Sequence, residues 1–81
     1  MQIRVHFYSY CKELTGSASV VENVEPGSRI ENLLQKLFVH FPKLVPVQKS
    51  LLVAVGVDYQ GADYILQEGD EVSLFPPVQG G

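Results

Sequence analysis

The sequence has 81 residues, 46% of them hydrophobic, and a formal net charge of −3. This length suits one domain near the lower limit for a self-sufficient core, and the negative charge argues against nucleic acid as the main partner. A single cysteine excludes an intramolecular disulfide, no His and Cys residues have zinc-ligand spacing, and no apolar stretch is long enough to span a bilayer. We therefore expect a cytoplasmic protein that binds neither metal nor membrane.

The first third of the chain predicts two strands joined by a short helix. Apolar residues at positions 3, 5 and 7 alternate with residues of more polar character at 4, 6 and 8, which is the period of a half-buried strand. Residues 11–14 predict a single helical turn that ends at Thr15 and Gly16. Residues 19–24 are rich in β-branched side chains and are expected to pair with the first strand.

One amphipathic helix is the clearest local feature. Pro26 and Gly27 predict a turn, after which Ser28 is placed as an N-cap, with Glu31 completing a capping box. Apolar residues at 30, 33, 34, 37, 38 and 41 then lie along one helical face. Pro42 is expected to end the helix because proline lacks the backbone N–H that a helix interior requires. This face is expected to carry the core.

The remaining elements complete a sheet. The apolar run at 51–57 predicts a strand that is covered on both faces or paired on both sides. Residues 59–63 predict a turn with a short strand, residues 68–70 a tight turn, and residues 71–75 the last strand. One main helix packed across a mixed four- or five-stranded sheet satisfies this order, so we predict an α+β fold.

The C-terminal residues have a composition of their own. Pro76 and Pro77 restrict φ and predict a stiff, extended segment, and the sequence ends in Gly80 and Gly81. We divide the chain into a domain, 1–75, and an extended tail, 76–81. Since glycine has no Cβ and can enter a narrow slot, the α-carboxylate of Gly81 is a candidate reactive group. A frayed end without function is the alternative.

Acidic residues are concentrated in the second half of the chain. Residues 44–81 hold five acidic and one basic side chain. Asp63, Glu68, Asp70 and Glu71 are close in sequence and are expected to surround the approach to the tail. They are interpreted either as a solvated surface or as charge that steers a basic partner toward the terminus.

Three stretches carry a resemblance to a known family. They read IRVHF at 3–7 followed by KELTG at 12–16, LLVAV at 51–55, and EGDEVSLFPPVQGG at 68–81. The last stretch is the most specific. Together they resemble the small, sulfur-carrying subunits of molybdopterin synthase, which have the β-grasp fold of ubiquitin-like proteins. Lys12, where the family often has Arg, and Gly56, where it often has Asn, depart from the pattern.

The resemblance implies a function for the terminus. An ATP-dependent adenylyltransferase similar to ubiquitin-activating enzymes would adenylate Gly81, and a sulfurtransferase would then supply sulfur to form a thiocarboxylate. The large subunit of molybdopterin synthase would use that sulfur to build a dithiolene from a cyclic pyranopterin precursor. The chain would be a non-catalytic subunit that binds no cofactor, ATP being used by the activating partner. Its tail would enter a tunnel in the partner through residues Pro76, Pro77, Val78, Gln79 and Gly80.

Aromatic side chains are the second candidate site. If Phe7 and Leu74 face inward, alternation turns Tyr8 and Phe75 to the opposite face of the sheet, where Tyr59 is expected to join them. Exposed aromatics on a small domain are frequent partner anchors, and the resemblance implies docking through such a patch and adds Lys12 to it. The alternative is that Phe75 only covers the sheet edge.

The other residues capable of chemistry favour structural roles. Cys11 is interpreted as an ordinary buried thiol because no base and orienting acid are spaced to activate it. His6 and His40 are interpreted as surface residues of a strand and a helix rather than ligands.

Other functions remain open from the sequence. The chain is alternatively a sulfur carrier for thiamin synthesis or transfer-RNA thiolation, a ubiquitin-like modifier joined to lysines of target proteins, or an interaction domain with an inert terminus.

Overall fold

A computed structural model describes residues 1–77 of the chain. A 3₁₀ helix, Pro42–Ser50, lies between the second α-helix and the third strand. The other elements are the strands and α-helices β1 (Gln2–Phe7), α1 (Tyr10–Thr15), β2 (Ser19–Asn23), α2 (Ile30–His40), β3 (Leu52–Val55), β4 (Asp58–Tyr59) and β5 (Glu71–Phe75).

The strands form one mixed sheet in the order β2-β1-β5-β3-β4. β1 pairs in parallel with β5, and every other pairing is antiparallel. The predicted α+β architecture with a mixed sheet is confirmed. β3 lies between β5 and β4, so the prediction that the apolar run at 51–57 contains a strand paired on both sides is also confirmed.

The core lies between one face of the sheet and helix α2. Ile3, Val5 and Phe7 of β1 are at most 2% exposed, as their alternation predicts. Leu33 and Leu37 of α2 are fully buried against them. Burial of such a side chain contributes about 1.5–3 kcal/mol before chain entropy is subtracted. The other predicted members of the helix face, Leu34, Phe38 and Phe41, are half-buried and pack at the periphery of the core.

Helix α2 begins one residue later than predicted, so the assignment of Ser28 as N-cap, with Glu31 completing its capping box, is wrong. Arg29 is the N-cap, and its backbone N–H donates to the side-chain oxygen of Asn32 over 2.8 Å. Arg29 also forms an isolated β-bridge with Ile65. This bridge holds the chain extended through residue 29, so that helical geometry starts only afterwards.

The 3₁₀ helix was not predicted from the sequence. Pro42 stands at its start, where proline is tolerated. Pro46 stands in its interior, where it removes a backbone donor and disfavours a continuous α-helix. Leu44 is fully buried and anchors the segment to the core. Within residues 1–77, no helix combines the length and the apolar character that a membrane crossing requires.

Candidate functional site: an aromatic face beside the tail root

Three aromatic side chains meet on the sheet face opposite α2. We call Tyr8, Tyr59 and Phe75 the aromatic face. The rings of Tyr8 and Phe75 stack with centroids 4.9 Å apart, and Tyr59 meets Phe75 edge-on at 6.3 Å. Tyr8 and Tyr59 are 44% and 68% exposed. The structure therefore confirms that alternation turns these residues away from the core and brings all three together.

The backbone fixes the two central rings relative to each other. β1 and β5 run in parallel with Phe7 opposite Leu74, both of which are buried. The backbone N–H of Tyr8 donates to the carbonyl of Leu74 over 3.1 Å. The pairing therefore continues past the end of β1 and places Tyr8 alongside Phe75 without any ligand being needed to align them.

A hydrogen-bonded His–Glu pair borders this face. His6 Nε2 and Glu71 Oε1 lie 2.7 Å apart, and both side chains remain partly exposed. The ring of His6 lies 6.5 Å from that of Tyr8. An apolar centre with a polar, solvated border is the usual composition of a protein–protein interface.

The tail begins next to the same rings. Phe75 ends β5, and Pro76 and Pro77 are half-buried after it. Together with Ser9, Tyr10 and Val47 these prolines line a cleft of about 400 Å³, which we call the tail-root cleft. The predicted tail residues Val78, Gln79, Gly80 and Gly81 lie outside the described residues.

Lys12 lies on helix α1, two residues after Tyr10. It is exposed and lines a shallow recess that Ser9 and Tyr10 also border. The structure thus places Lys12 near the tail root, but not among the aromatic rings.

The acidic residues are not arranged around the tail as expected. Glu71 begins β5 and Phe75 ends it, which separates them by about 13 Å at the rise of a strand. Glu68 and Asp70 precede Glu71 in the turn. Asp70 Oδ2 accepts hydrogen bonds from the backbone N–H of Gln67 and from the hydroxyl of Tyr64. At the tail root, the part of the tail that the structure describes, Glu71 does not lie beside Phe75 as the prediction requires, because the length of β5 separates them.

Cys11 occupies a structural position. Its side chain is fully buried beneath α1, and burial raises the pKa of the thiol. A buried, protonated thiol is a poor nucleophile. The interpretation of Cys11 as an ordinary buried thiol is confirmed.

A buried carboxylate escaped the sequence analysis. Glu22 of β2 is 6% exposed, and its Oε2 lies 2.7 Å from Nδ1 of His40 at the end of α2. The pairing of Glu22 with Ile3 turns it to the core face, and only the alternation of β2 could have indicated this. Residues 1–77 contain no cluster of His, Cys, Asp and Glu side chains placed to hold a metal ion.

Comparison with known proteins adds a family and its relatives. Residues 5–81 match the ThiS family model. The molybdopterin synthase sulfur carrier subunit of Arabidopsis thaliana is 30% identical over 100% of this chain and 84% of its own. The subunit of the same name from Escherichia coli (strain K12) is 33% identical over 98% and 99% of the two chains. The small archaeal modifier protein 3 of Haloferax volcanii is 28% identical over the whole of both chains.

Solved structures agree with the fold. SAMP1 from Haloferax volcanii superposes with a TM-score of 0.89 at 24% identity over the whole of both chains. A chain from the complex of subunits 1 and 2 of the molybdopterin-converting factor from Helicobacter pylori matches with a TM-score of 0.69 at 20% identity, again over the whole of both chains. At these identities the likeness establishes the ubiquitin-like β-grasp fold.

Proposed function

The chain belongs to the ThiS family, and on that premise we propose that it is the sulfur-carrier small subunit of a molybdopterin synthase. The carboxylate of Gly81 is the group that carries the sulfur. The observation that supports this most strongly is full-length similarity to relatives named molybdopterin synthase sulfur carrier subunit, in a chain that ends in Gly80 and Gly81.

The chemistry follows from the weakness of a carboxylate as an electrophile. One carboxylate oxygen of Gly81 attacks the α-phosphorus of ATP, and pyrophosphate leaves. A sulfur nucleophile at the oxidation level of sulfide then adds to the acyl carbon and displaces AMP, which leaves a thiocarboxylate. The thiocarboxylate is a soft nucleophile on a stem without side chains, so it can reach a buried acceptor.

The three steps assign three partners to the chain. An adenylyltransferase related to ubiquitin-activating enzymes binds ATP, a sulfurtransferase supplies the sulfur, and the large synthase subunit holds the cyclic pyranopterin precursor in the cytoplasm. The carrier itself binds no cofactor. The solved complex of subunits 1 and 2 of a molybdopterin-converting factor supports the large-subunit partner, because one of its chains shares the fold of this one.

The aromatic face is the docking surface in this scheme. It is apolar, its aromatic rings are held in place by the sheet, and it borders the tail root through Phe75. Buried aromatic anchors supply much of the binding energy in protein interfaces. Docking here brings the tail to the partner at a fixed starting point, and Lys12 on α1 lies at the margin of the same contact.

Intact mass spectrometry tests the proposal. The full chain is incubated with ATP, the adenylyltransferase and a sulfur donor. We expect a mass gain equal to the difference between one sulfur and one oxygen atom, located in the C-terminal peptide. Removal of Gly81 should leave the melting temperature unchanged and abolish the gain. If the chain without Gly81 still transfers sulfur, the proposal is wrong.

The similarity to a small archaeal modifier protein favours a second candidate, a modifier joined to lysines of other proteins. This function predicts covalent conjugates that persist on denaturing gels and end at Gly81. A carrier for thiamin synthesis or transfer-RNA thiolation predicts the same mass gain. It is distinguished by the acceptor, because sulfur then passes to a thiamin precursor or to transfer RNA and not to a pyranopterin.

A further inference from the structure

We infer that the tail-root cleft is a socket for one neutral, apolar side chain of the protein that binds the Gly-Gly tail. It is a contact surface separate from the aromatic face. The inference rests on the proposed function in one respect, namely that another protein takes hold of the terminus. It concerns Tyr10 and Val47, which the sequence analysis did not single out.

Buried residues hold the two sides of the cleft, Tyr10 and Val47, in place. Tyr10 begins α1 beside Cys11, whose side chain is fully buried. Val47 belongs to the 3₁₀ helix that Leu44, also fully buried, anchors to the core. Tyr10 and Val47 thus each belong to a short helix that a buried residue holds against the core. The cleft is therefore formed without a partner.

Backbone strain at Ser9 supports a role beyond packing. Ser9 has φ 52° and ψ −127° and is the only non-glycine residue within 1–77 at positive φ. This conformation is unfavourable for any residue that carries a Cβ. The turn it makes lets Cys11 enter the core while Tyr10, next to it, stays 51% exposed at the cleft. Strain of this kind collects at ligand and partner sites.

The length of the chain beyond the cleft identifies the occupant. Gly81 is the fourth residue after Pro77, and four residues span at most about 14 Å when fully extended. Any protein that encloses Gly81 therefore has atoms within that distance of Pro77. A specific interface covers about 800 Å² on each partner, an area wide enough to extend from Gly81 back to the tail-root cleft, so we expect a protein held this close to contact the cleft.

The lining determines the chemistry of the occupant. Tyr10, Val47, Pro76 and Pro77 present mainly apolar surface, and among residues 1–77 no charged side chain lines the cleft. A charged side chain placed here would lose its hydration without gaining a partner. An aliphatic or aromatic side chain of the incoming protein has no charge to desolvate and needs no polar partner.

Filling the cleft tests the inference. The probe is the large molybdopterin synthase subunit of the same organism, titrated with the full chain by calorimetry. Val47→Phe should weaken binding at least about tenfold, as expected for loss of a central pocket. The matched control is Val45→Phe on the same 3₁₀ helix, because Val45 is 40% exposed and does not line the cleft. The Val45→Phe variant should bind within about twofold of the wild type. The melting curves of both variants should match that of the wild type.

A double variant tests whether the two surfaces are separate. Combining Val47→Phe with Phe75→Ala should multiply the two losses of affinity, as expected for sites without shared contacts. Equal affinities for the Val47→Phe and Val45→Phe variants overturn the inference. A difference in molar mass in solution between the free Val47→Phe variant and the free wild type also overturns the inference. It would show that a second copy of the chain occupies the cleft.

Binding and sulfur loading fail independently in these experiments. If Val47→Phe weakens binding but Gly81 never gains sulfur, the sulfur-carrier function is wrong and the socket stands. If Gly81 gains sulfur and Val47→Phe binds normally, the function stands and the socket is wrong.

Discussion

The rings of Tyr8 and Phe75 stack almost in parallel, with their planes inclined by 11° and their centroids 4.9 Å apart. Stacked pairs of this kind contribute about 0.5–1.5 kcal/mol beyond the area they bury. Because Tyr59 contacts Phe75 from another direction, Phe75 is the ring that joins the aromatic face together. It is also the residue from which the tail departs.

Replacing Phe75 is therefore the most informative change on this face. Phe75→Ala should weaken binding to the large synthase subunit by at least about 1 kcal/mol, measured by calorimetry. Val57→Ala is the control, because Val57 is 97% exposed in the turn after β3 and should leave the affinity unchanged. If Phe75→Ala binds as the wild type does, Phe75 only covers the sheet edge.

Leu→Ala substitutions on α2 should lower the free energy of unfolding by amounts that follow the burial of each leucine. Leu33 is fully buried, whereas Leu34 beside it is half-buried. Leu33→Ala should lower the free energy of unfolding by about 2–5 kcal/mol, and Leu34→Ala by clearly less, since the cavity it leaves is open to solvent. Urea denaturation measures both. Equal losses would show that the helix is rotated from the orientation described here.

Periodicity was sufficient to predict the elements that face one core. The alternation in β1 and the helical repeat in α2 each reflect a single buried side, so the spacing of Ile3, Val5 and Phe7 indicates their burial directly. The 3₁₀ helix has no such repeat because Leu44 is its only fully buried residue. The helix start was misplaced because the bridge between Arg29 and Ile65 joins residues distant in sequence.

The sequence likewise predicted one part of the candidate site and not another. Tyr8 and Phe75 could be predicted because alternation assigns a face to every residue of a strand. The tail-root cleft could not, since it brings together residues 9–10, 47 and 76–77 from three segments. The acidic cluster was misplaced for the converse reason. Neighbours in sequence were taken as neighbours in space, although β5 separates them from the tail.

Two His–Glu pairs of equal length should differ in their contribution to stability. Each has a nitrogen–oxygen distance of 2.7 Å, but Glu22 is 7% exposed at its side chain and Glu71 is 61% exposed. His40→Ala leaves a buried carboxylate without its partner and should cost about 1–3 kcal/mol in urea denaturation at neutral pH. His6→Ala should cost less than about 1 kcal/mol.

A second substitution separates the charge from the packing. Adding Glu22→Gln to His40→Ala removes the unpaired charge and should recover part of the loss. No recovery would mean that His40 stabilises the protein through packing alone.

Cys11 should react with iodoacetamide only when the protein unfolds. Its thiol is fully buried, and burial raises its pKa in the folded state. The stability linked to this pKa shift is fully present below the ordinary thiol pKa of 9.0. It is lost as the pH rises from there through the folded-state pKa, because in that range the unfolded chain releases a proton that the folded chain retains. Alkylation followed by mass spectrometry should accelerate in urea in step with unfolding. Rapid labelling of the folded protein would contradict this.

Ser9 offers a test of strain that does not depend on any partner. Ser9→Gly removes the Cβ that makes φ 52° unfavourable, which is worth about 1–3 kcal/mol, and adds an entropy cost of about 0.5–1 kcal/mol. The variant should therefore be more stable than the wild type by about 1 kcal/mol in urea denaturation. Gly16→Ala, at φ 72°, is the reverse control and should destabilise by about 1–2 kcal/mol. If both variants lose stability, the conformation of Ser9 is not strained, and its turn then gives no sign of a role beyond packing.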